Sequence, residues 1–233
     1  ESYIVKSTPT MKIRAVAVAA VAAATMLMIH TPAEADRLFD LRGSAGLDWD
    51  QPTLDFDFGE VTATASATAY DPDTGEVHDG WVGQYHGGLG VTNSRKWKSN
   101  WFDKGGYWVS EDGSHTVDGK GWDDTLWLTF SKPIAFSAIQ FSHIDLGEDV
   151  SILDGDGNEL GDFDLSELWH WGYAYLDISG LDYTGTTLGL HAYGNHDNWK
   201  VKGVKGHIVP TPAAAGAGLV LLLGIMARRQ RAK

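Results

Sequence analysis

The sequence has no cysteine among its 233 residues. Without thiols the chain can form no disulfide and no thiolate metal site, and it has no cysteine nucleophile. It also lacks the Gly-x-Ser-x-Gly elbow of serine hydrolases and a glycine-rich phosphate loop ahead of a helix. We therefore predict no catalytic residue, and a secreted hydrolase is the least favoured function.

Positive charge is scarce in the middle of the chain. The formal net charge is −13. Residues 36–208 alone hold 11 basic and 29 acidic residues, which gives this stretch a charge of −18. Such a domain repels nucleic acid and anionic lipid, so we expect no nucleic-acid partner. The acidic surface suits divalent cations, basic partners or simple solubility.

The N-terminal segment has the three parts of a secretory signal peptide. An uncharged, mostly apolar run covers residues 15–29, and we predict a signal peptide over 11–35 that is used by the Sec translocon and cut by signal peptidase. A buried alanine-rich helix is the alternative. Residues 1–10 are treated as an upstream extension outside the fold. The basic start and the small residues at the cleavage positions are Lys12, Arg14, Ala33 and Ala35.

The C-terminal segment combines prolines, a short apolar run and a basic cluster. The apolar run, residues 213–227, is shorter than the roughly 20 residues of a full membrane span. The basic cluster would stay in the cytoplasm. This order predicts a weak transmembrane anchor, either permanent or removable. The flanking residues are Val209, Pro210, Thr211 and Pro212 before the run, and Arg228, Arg229 and Arg231 after it.

This tail resembles the PEP-CTERM sorting tail of Gram-negative bacteria. It is closer to the Val-Pro-x-Pro-Ala variants, because Thr211 stands where the commonest form has glutamate. The resemblance implies that an exosortase, a membrane peptidase, recognises the tail at residues 209–233 and removes it from about Thr211 onward. It also implies export through the inner membrane, a transient membrane anchor, a final place at the cell surface or outside it, and a link to exopolysaccharide and biofilm.

Residues 36–208 show the alternating pattern of β-strands. Apolar residues recur at every second position, as expected for strands with one buried face. Turn sequences separate these runs, and no convincing amphipathic helix appears. We predict one all-β domain, a two-sheet sandwich or jelly roll. The predicted strands lie near residues 54–58, 61–69, 125–130, 135–142, 150–153, 160–163, 174–178, 188–192 and 199–208.

The same stretch is similar to the β-sandwich passengers of PEP-CTERM proteins. The similarity rests on residues 115–118, on 123–130, on the strand after Pro133 and on the hairpin at 154–158. It implies a fold and a surface role, and it carries no catalytic residues.

Two groups of aspartates suggest calcium. Asp118, Asp123 and Asp124 lie in a glycine-rich loop ahead of a strong strand, where they are either calcium ligands or turn formers. The run from Asp154 to Asp164 does not fit an EF-hand, because position six is not glycine and position twelve is leucine. A plain hairpin is favoured there. The nine histidines lack the paired spacing of a zinc site.

Tryptophans concentrate in the irregular stretch between residues 93 and 124. Trp97, Trp101 and Trp108 either cover one end of the core or stack on sugar rings. The sequence thus favours an exported, exosortase-processed, non-enzymatic surface or matrix protein. The alternative is a carbohydrate-binding module with extracellular polysaccharide as its partner.

Overall fold

The computed structural model describes residues 35–43, 48–93, 95–99, 106–110, 115–168, 170, 172–193 and 196–210. These residues confirm an all-β protein, because only two short 3₁₀ turns interrupt the strands. The strands are β1 (Arg37–Asp40), β2 (Asp48–Gln51), β3 (Thr53–Asp57), β4 (Thr62–Tyr70), β5 (Val77–Asp79), β6 (Trp81–Tyr85), β7 (Gly88–Thr92), β8 (Arg95–Ser99), β9 (Gly106–Ser110), β10 (Val117–Asp118), β11 (Asp123–Ser142), β12 (Asp149–Leu153), β13 (Glu159–Asp164), β14 (Tyr173–Asp177), β15 (Thr184–His191) and β16 (Asn198–Ile208).

Fourteen strands form one hydrogen-bonded antiparallel sheet, and β8 pairs only with β9. The strand order along the main path is β13-β12-β15-β11-β16-β7-β6-β2. Strand β4 pairs with β11 on one side and with β3 and β5 on the other. Strands β11 and β16 each pair with strands from several parts of the chain.

Strand β11 is the centre of the sheet and runs for 20 residues. Its first half pairs with β4 and β15, and its second half pairs with β16 and β14. The sequence predicted two strands separated at Pro133. The structure has one continuous strand there instead, and its ladder with β15 shifts register between Thr129 and Ile134. Pro133 lies in this break, where no ladder bond needs its missing N–H.

The core is packed with aromatic and aliphatic side chains from distant strands. Phe39 of β1 contacts Phe130 of β11 and Phe58, with ring centroids 5.1 and 5.2 Å apart. The buried face of β4 is made of small side chains, because its alanines 63, 65, 67 and 69 are all buried. The largest fully buried side chains include Trp199, Phe141, Leu126 and Leu128.

Several local features agree with the sequence pattern. Asp154 follows β12, and its Oδ1 accepts the backbone N–H groups of Asp156 and Asn158 at 2.9 Å, which makes the predicted hairpin. Strand β16 contains a bulge beside Gly203, where Lys202 has no partner on β11. A 3₁₀ turn covers Ser166–Leu168.

Residues Ala35–Val209 make one compact unit. No helix within the described ranges has the length and apolar character needed to span a bilayer.

Candidate functional site

A cleft of about 480 Å³ opens beside the first residues of β16. Its walls come from the turn between β6 and β7, the C-terminal end of β11, the start of β14 and residues 42 and 200–202. Among the described lining residues none is Asp or Glu, although the domain is strongly acidic. We call this the basic cleft; its nitrogen-bearing side chains are Arg42, His86, His143, Lys200 and Lys202.

Close backbone packing shapes one wall of the basic cleft. A Cβ on Gly88 would lie 2.2 Å from the carbonyl oxygen of Val201, so the β6–β7 turn can approach β16 only with glycine there. Gly88 also has φ +131°, which disfavours any other residue. Ser142 Oγ donates a 2.6 Å hydrogen bond to the carbonyl oxygen of Gly87. The turn is therefore tied to both β11 and β16.

Lys200 is the most unusual residue of the cleft. Its side chain is only 8% exposed, and its Nζ lies 4.3 Å from the ring centroid of Tyr85. Burial lowers the pKa of Lys200 below its usual range. No carboxylate in the described part of the chain forms an ion pair with it. The aromatic face stabilises the ammonium without cancelling its charge.

The outer part of the cleft repeats this lysine–tyrosine arrangement. Lys202 Nζ lies 4.6 Å from the ring centroid of Tyr173, whose side chain is 51% exposed. Arg42 lines the same wall, but its guanidinium binds the carboxylate of Asp40. Hydrogen bonding to Arg42 lowers the pKa of Asp40. Among the described residues neither Lys200 nor Lys202 forms an ion pair; Lys200 is the buried one of the two, and Lys202 extends the positive charge outward.

A second cavity of about 390 Å³ adjoins the basic cleft and shares Tyr173 and Lys202 with it. It is also lined by Tyr175 and Gln140, which lie opposite each other in the β11–β14 ladder. Because side chains two residues apart on a strand share a face, Tyr173 and Tyr175 make one aromatic row. Both are about half exposed.

Ser142 and His143 are neighbours in the cleft, with Ser142 Oγ 3.2 Å from His143 Nδ1. A nucleophile and its base would require a serine hydroxyl that a substrate can reach. Ser142 is instead 1% exposed and holds the carbonyl oxygen of Gly87. Burial and the charge of Lys200 lower the pKa of His143. Ser142 therefore anchors the turn, and the lowered pKa of His143 keeps its ring neutral near pH 7.

The structure places Asp118 and Asp124 side by side, and both are buried. Asp124 Oδ1 accepts a hydrogen bond from Asn93 Nδ2 at 3.0 Å, and Oδ2 accepts the backbone N–H of Asp118 at 3.3 Å. Asp118 Oδ1 accepts the backbone N–H of Lys120 at 2.9 Å. These are the contacts of loop-organising aspartates.

Asp123 lies on the other face of β11, because consecutive strand residues point in opposite directions. Burial lowers the pKa of His191, and the negative charge of Asp123 partly opposes that shift. Within the described ranges no group of three or more His, Asp or Glu side chains has the geometry to hold a metal ion. Calcium at the three predicted aspartates stays a prediction, which melting experiments can test.

The histidine groups considered for zinc have other partners. His191 Nδ1 lies 2.8 Å from Thr125 Oγ1. Asp197 accepts the backbone N–H groups of Asp149 and Tyr193 at 2.7 and 2.8 Å. His143 and His191 belong to different parts of the sheet, and the Nδ1 atom of each lies beside a hydroxyl group, that of Ser142 and that of Thr125.

The predicted sugar-stacking tryptophans are partly described. Trp97 of β8 lies opposite Trp108 of β9 in the backbone ladder, so the irregular stretch contains a hairpin that the sequence did not predict. Trp101 lies outside the described residues. The aromatic–lysine pairs of the basic cleft were not predicted; the signal was Lys200 and Lys202 at alternate positions of one strand.

Three of the residues predicted to direct processing lie at the ends of the described chain. Ala35 is exposed, Val209 donates its backbone N–H to the carbonyl oxygen of Pro133 at 2.9 Å, and Pro210 is exposed. The other predicted processing residues lie outside the described residues: Ala33, Thr211, Pro212, Arg228, Arg229 and Arg231.

Comparison with protein-family models and with curated proteins finds no match to this chain.

Proposed function

We propose that this protein is an exported, non-enzymatic surface protein whose C-terminal segment is a sorting tail removed by an exosortase-type membrane peptidase. One observation carries the proposal. The compact unit spans Ala35–Val209, the predicted signal-peptide cut follows Ala35, and the predicted tail starts at Val209. A domain bounded in this way keeps its core when both terminal segments are removed.

The proposed passenger is a two-layer β-sandwich. In this proposal its two layers are joined through β11, where the pairing with β4 ends at Phe130 and the pairing with β16 begins at Ile134, while β15 pairs on both sides of the register break. Strands that change layer at bulges or bends are a known way to make the corner of a sandwich. The contact of Phe39 with Phe130 supports this arrangement, because these residues belong to the two different sets of strands.

The export proposal is tested by mass spectrometry of protein recovered from the cell surface. We expect an N-terminus at Asp36 and no peptide that extends past about residue 211. Protein from cells without the processing peptidase is the control, and it should keep the tail in the membrane fraction. Surface-exposed protein with intact peptides through Met226 to Lys233 would contradict the proposal.

Carbohydrate binding is the second candidate function. The observation that favours it is the placement of Trp97 opposite Trp108 on a two-stranded hairpin that pairs with no other strand in the described residues. Aromatic residues that lie opposite each other in a two-stranded ladder are suited to stacking on pyranose rings. Extracellular polysaccharide is the proposed partner.

A glycan array with Trp97→Ala and Trp108→Ala variants tests this candidate. We expect both variants to lose binding of neutral glycans and to keep their melting temperature. Trp199→Ala is the matched control, because Trp199 is fully buried and its truncation should cost about 3–5 kcal/mol. A Trp97→Ala protein that is strongly destabilised yet still binds glycan when folded would refute the stacking role.

A further inference from the structure

We propose that the basic cleft binds a carboxylate-bearing sugar, a uronic acid unit, with Lys200 as the cation that receives the carboxylate. This site is separate from the tryptophan hairpin. The inference goes beyond the carbohydrate-binding candidate, since it assigns a charged sugar to a second site that does not depend on the hairpin.

The first argument is the contrast between the cleft and the rest of the domain. Residues 36–208 have 29 acidic and 11 basic residues, so a random lining of ten residues would be expected to include acids. The described lining instead has five nitrogen-bearing side chains and no carboxylate. A locally positive cleft in a negative domain attracts an anion while the surrounding surface excludes polyanions that do not fit.

The second argument is the missing counter-charge of Lys200. A charged group that is more than nine-tenths buried is normally paired, because burial of an uncompensated charge is costly. Within the described residues Lys200 has only the face of Tyr85 as a partner. Lys200 lines the cleft, so a ligand carboxylate bound there would supply the absent pair and form a charge-assisted hydrogen bond.

The third argument favours a sugar over a small inorganic anion. Tyr173 lies at the rim of the cleft with half of its side chain exposed, and Tyr175 follows in the adjoining cavity. Two residues along a strand are about 6.8 Å apart, so the row offers successive apolar surfaces for linked rings. Gln140 and Lys202 add polar groups next to these rings. Phosphate or acetate would pair with Lys200 but would make no contact with the aromatic row.

Calorimetric titration of the full chain, kept in solution with a detergent that contains no sugar, tests the proposal. The probe is a trimer of glucuronic acid, and the comparison ligands are a neutral glucose trimer, sodium acetate and inorganic phosphate. We expect saturable binding of the glucuronate trimer alone. Binding should weaken as salt is added, because an ion pair forms at a solvent-accessible cleft.

The decisive variant is Lys200→Met, which keeps the length of the side chain and removes its charge. We expect it to weaken trimer binding by about tenfold or more, the range for a hydrogen bond to a charged group. Lys205→Met is the matched control, because Lys205 is on the same strand and does not line the cleft. Tyr173→Ala, at an exposed position, should weaken binding even if Lys200→Met fails to fold.

Several results would overturn the inference. They are equal affinity for the neutral trimer, equal affinity for acetate or phosphate, undiminished binding by a folded Lys200→Met protein, and no binding of the glucuronate trimer. Loss of glycan binding in the tryptophan variants combined with unchanged binding in Lys200→Met would leave the carbohydrate-binding candidate standing and refute this site alone.

Discussion

Glu148 is a buried carboxyl group with an incomplete set of partners. Its side chain is 1% exposed, and Oε2 has no hydrogen-bond partner in the described part of the chain. Burial raises the pKa of Glu148 to about 8, and the negative charges of Asp145 and Asp197 act in the same direction. Burial also raises the pKa of Asp197 to about 6, despite its two backbone N–H donors.

We predict that stability falls as pH rises from 7 to 8.5, and that Glu148→Gln reduces this fall. Folded Glu148 holds a proton that the unfolded chain releases near its ordinary pKa of 4.5, so the native state is favoured at low pH and loses that advantage up to about pH 8. Burial lowers the pKa of His143 and of His191 below 6.5, so both are mostly neutral above pH 7 and contribute little to this fall.

Thermal melts of both proteins at the two pH values provide the measurement. Glu167→Gln is the matched control, because Glu167 is exposed and should leave the pH dependence unchanged. The same fall in melting temperature with and without Glu148 would exclude this residue as its source.

A second prediction concerns the buried carboxylate of Asp124. Asp124→Ala should destabilise the domain by about 1–3 kcal/mol, because it leaves the Asn93 amide and the backbone N–H of Asp118 without their acceptor in a buried place. Asp124→Asn keeps one oxygen and should cost less. Denaturant melts give both values, and an Asp124→Ala protein as stable as the wild type would show that water replaces the carboxylate at no cost.

At the scale of elements, the sequence revealed strands that have one apolar face. The alternation in β3, β4 and β14 placed each of them to within about two residues, an accuracy that period-two patterns allow. It failed for β6 and β7, in which three glycines remove the side chains that would show a period. Gly90 is required there by packing, since a Cβ would lie 1.8 Å from the carbonyl oxygen of His115.

The candidate site was less visible than the fold for a related reason. Alternating lysines on β16 are visible in sequence, but the cleft also needs Tyr85 and Tyr173 from strands far away in the chain. The pairing of Ser142 with both Lys200 and Tyr173, together with the pairing of Tyr85 with β7 and of β7 with β16, brings these residues together. Side chains that meet through such long-range pairing leave no local spacing for a sequence to display.

The calcium hypothesis concerns the loop that joins β10 to β11. If Asp118, Asp123 and Asp124 bind calcium, a hundredfold excess over Kd adds about 2.7 kcal/mol of stability. Melting temperatures with calcium and with chelator should then differ by several degrees, and Asp123→Asn should remove the difference. Superimposable melts would eliminate the hypothesis and leave Asp118 and Asp124 with their loop-organising contacts.

At the scale of the whole molecule, the final strand of the compact unit ties several parts of the fold together. Strand β16 pairs with β11 over most of its length and with β1 from Gly203 to Gly206. Its first residues pair with β10, and Val201 pairs with β7. The fold is therefore closed by residues that immediately precede the proposed sorting tail.

This closure gives a prediction about truncation. A chain of residues 36–210 should unfold at the same temperature as the full chain, because Val209 makes the last backbone hydrogen bond of the compact unit, to Pro133. A chain that ends at Val204 should fail to fold. It loses the pairing of Lys205–Ile208 with β11 and the burial of Ile208, which alone contributes about 1.5–3 kcal/mol, out of a typical total of about 5–15 kcal/mol. Circular dichroism melts of the three chains decide the matter: if residues 36–210 melt well below the full chain, the segment after Pro210 stabilises the domain, and its removal in the cell would unfold the protein that it delivers.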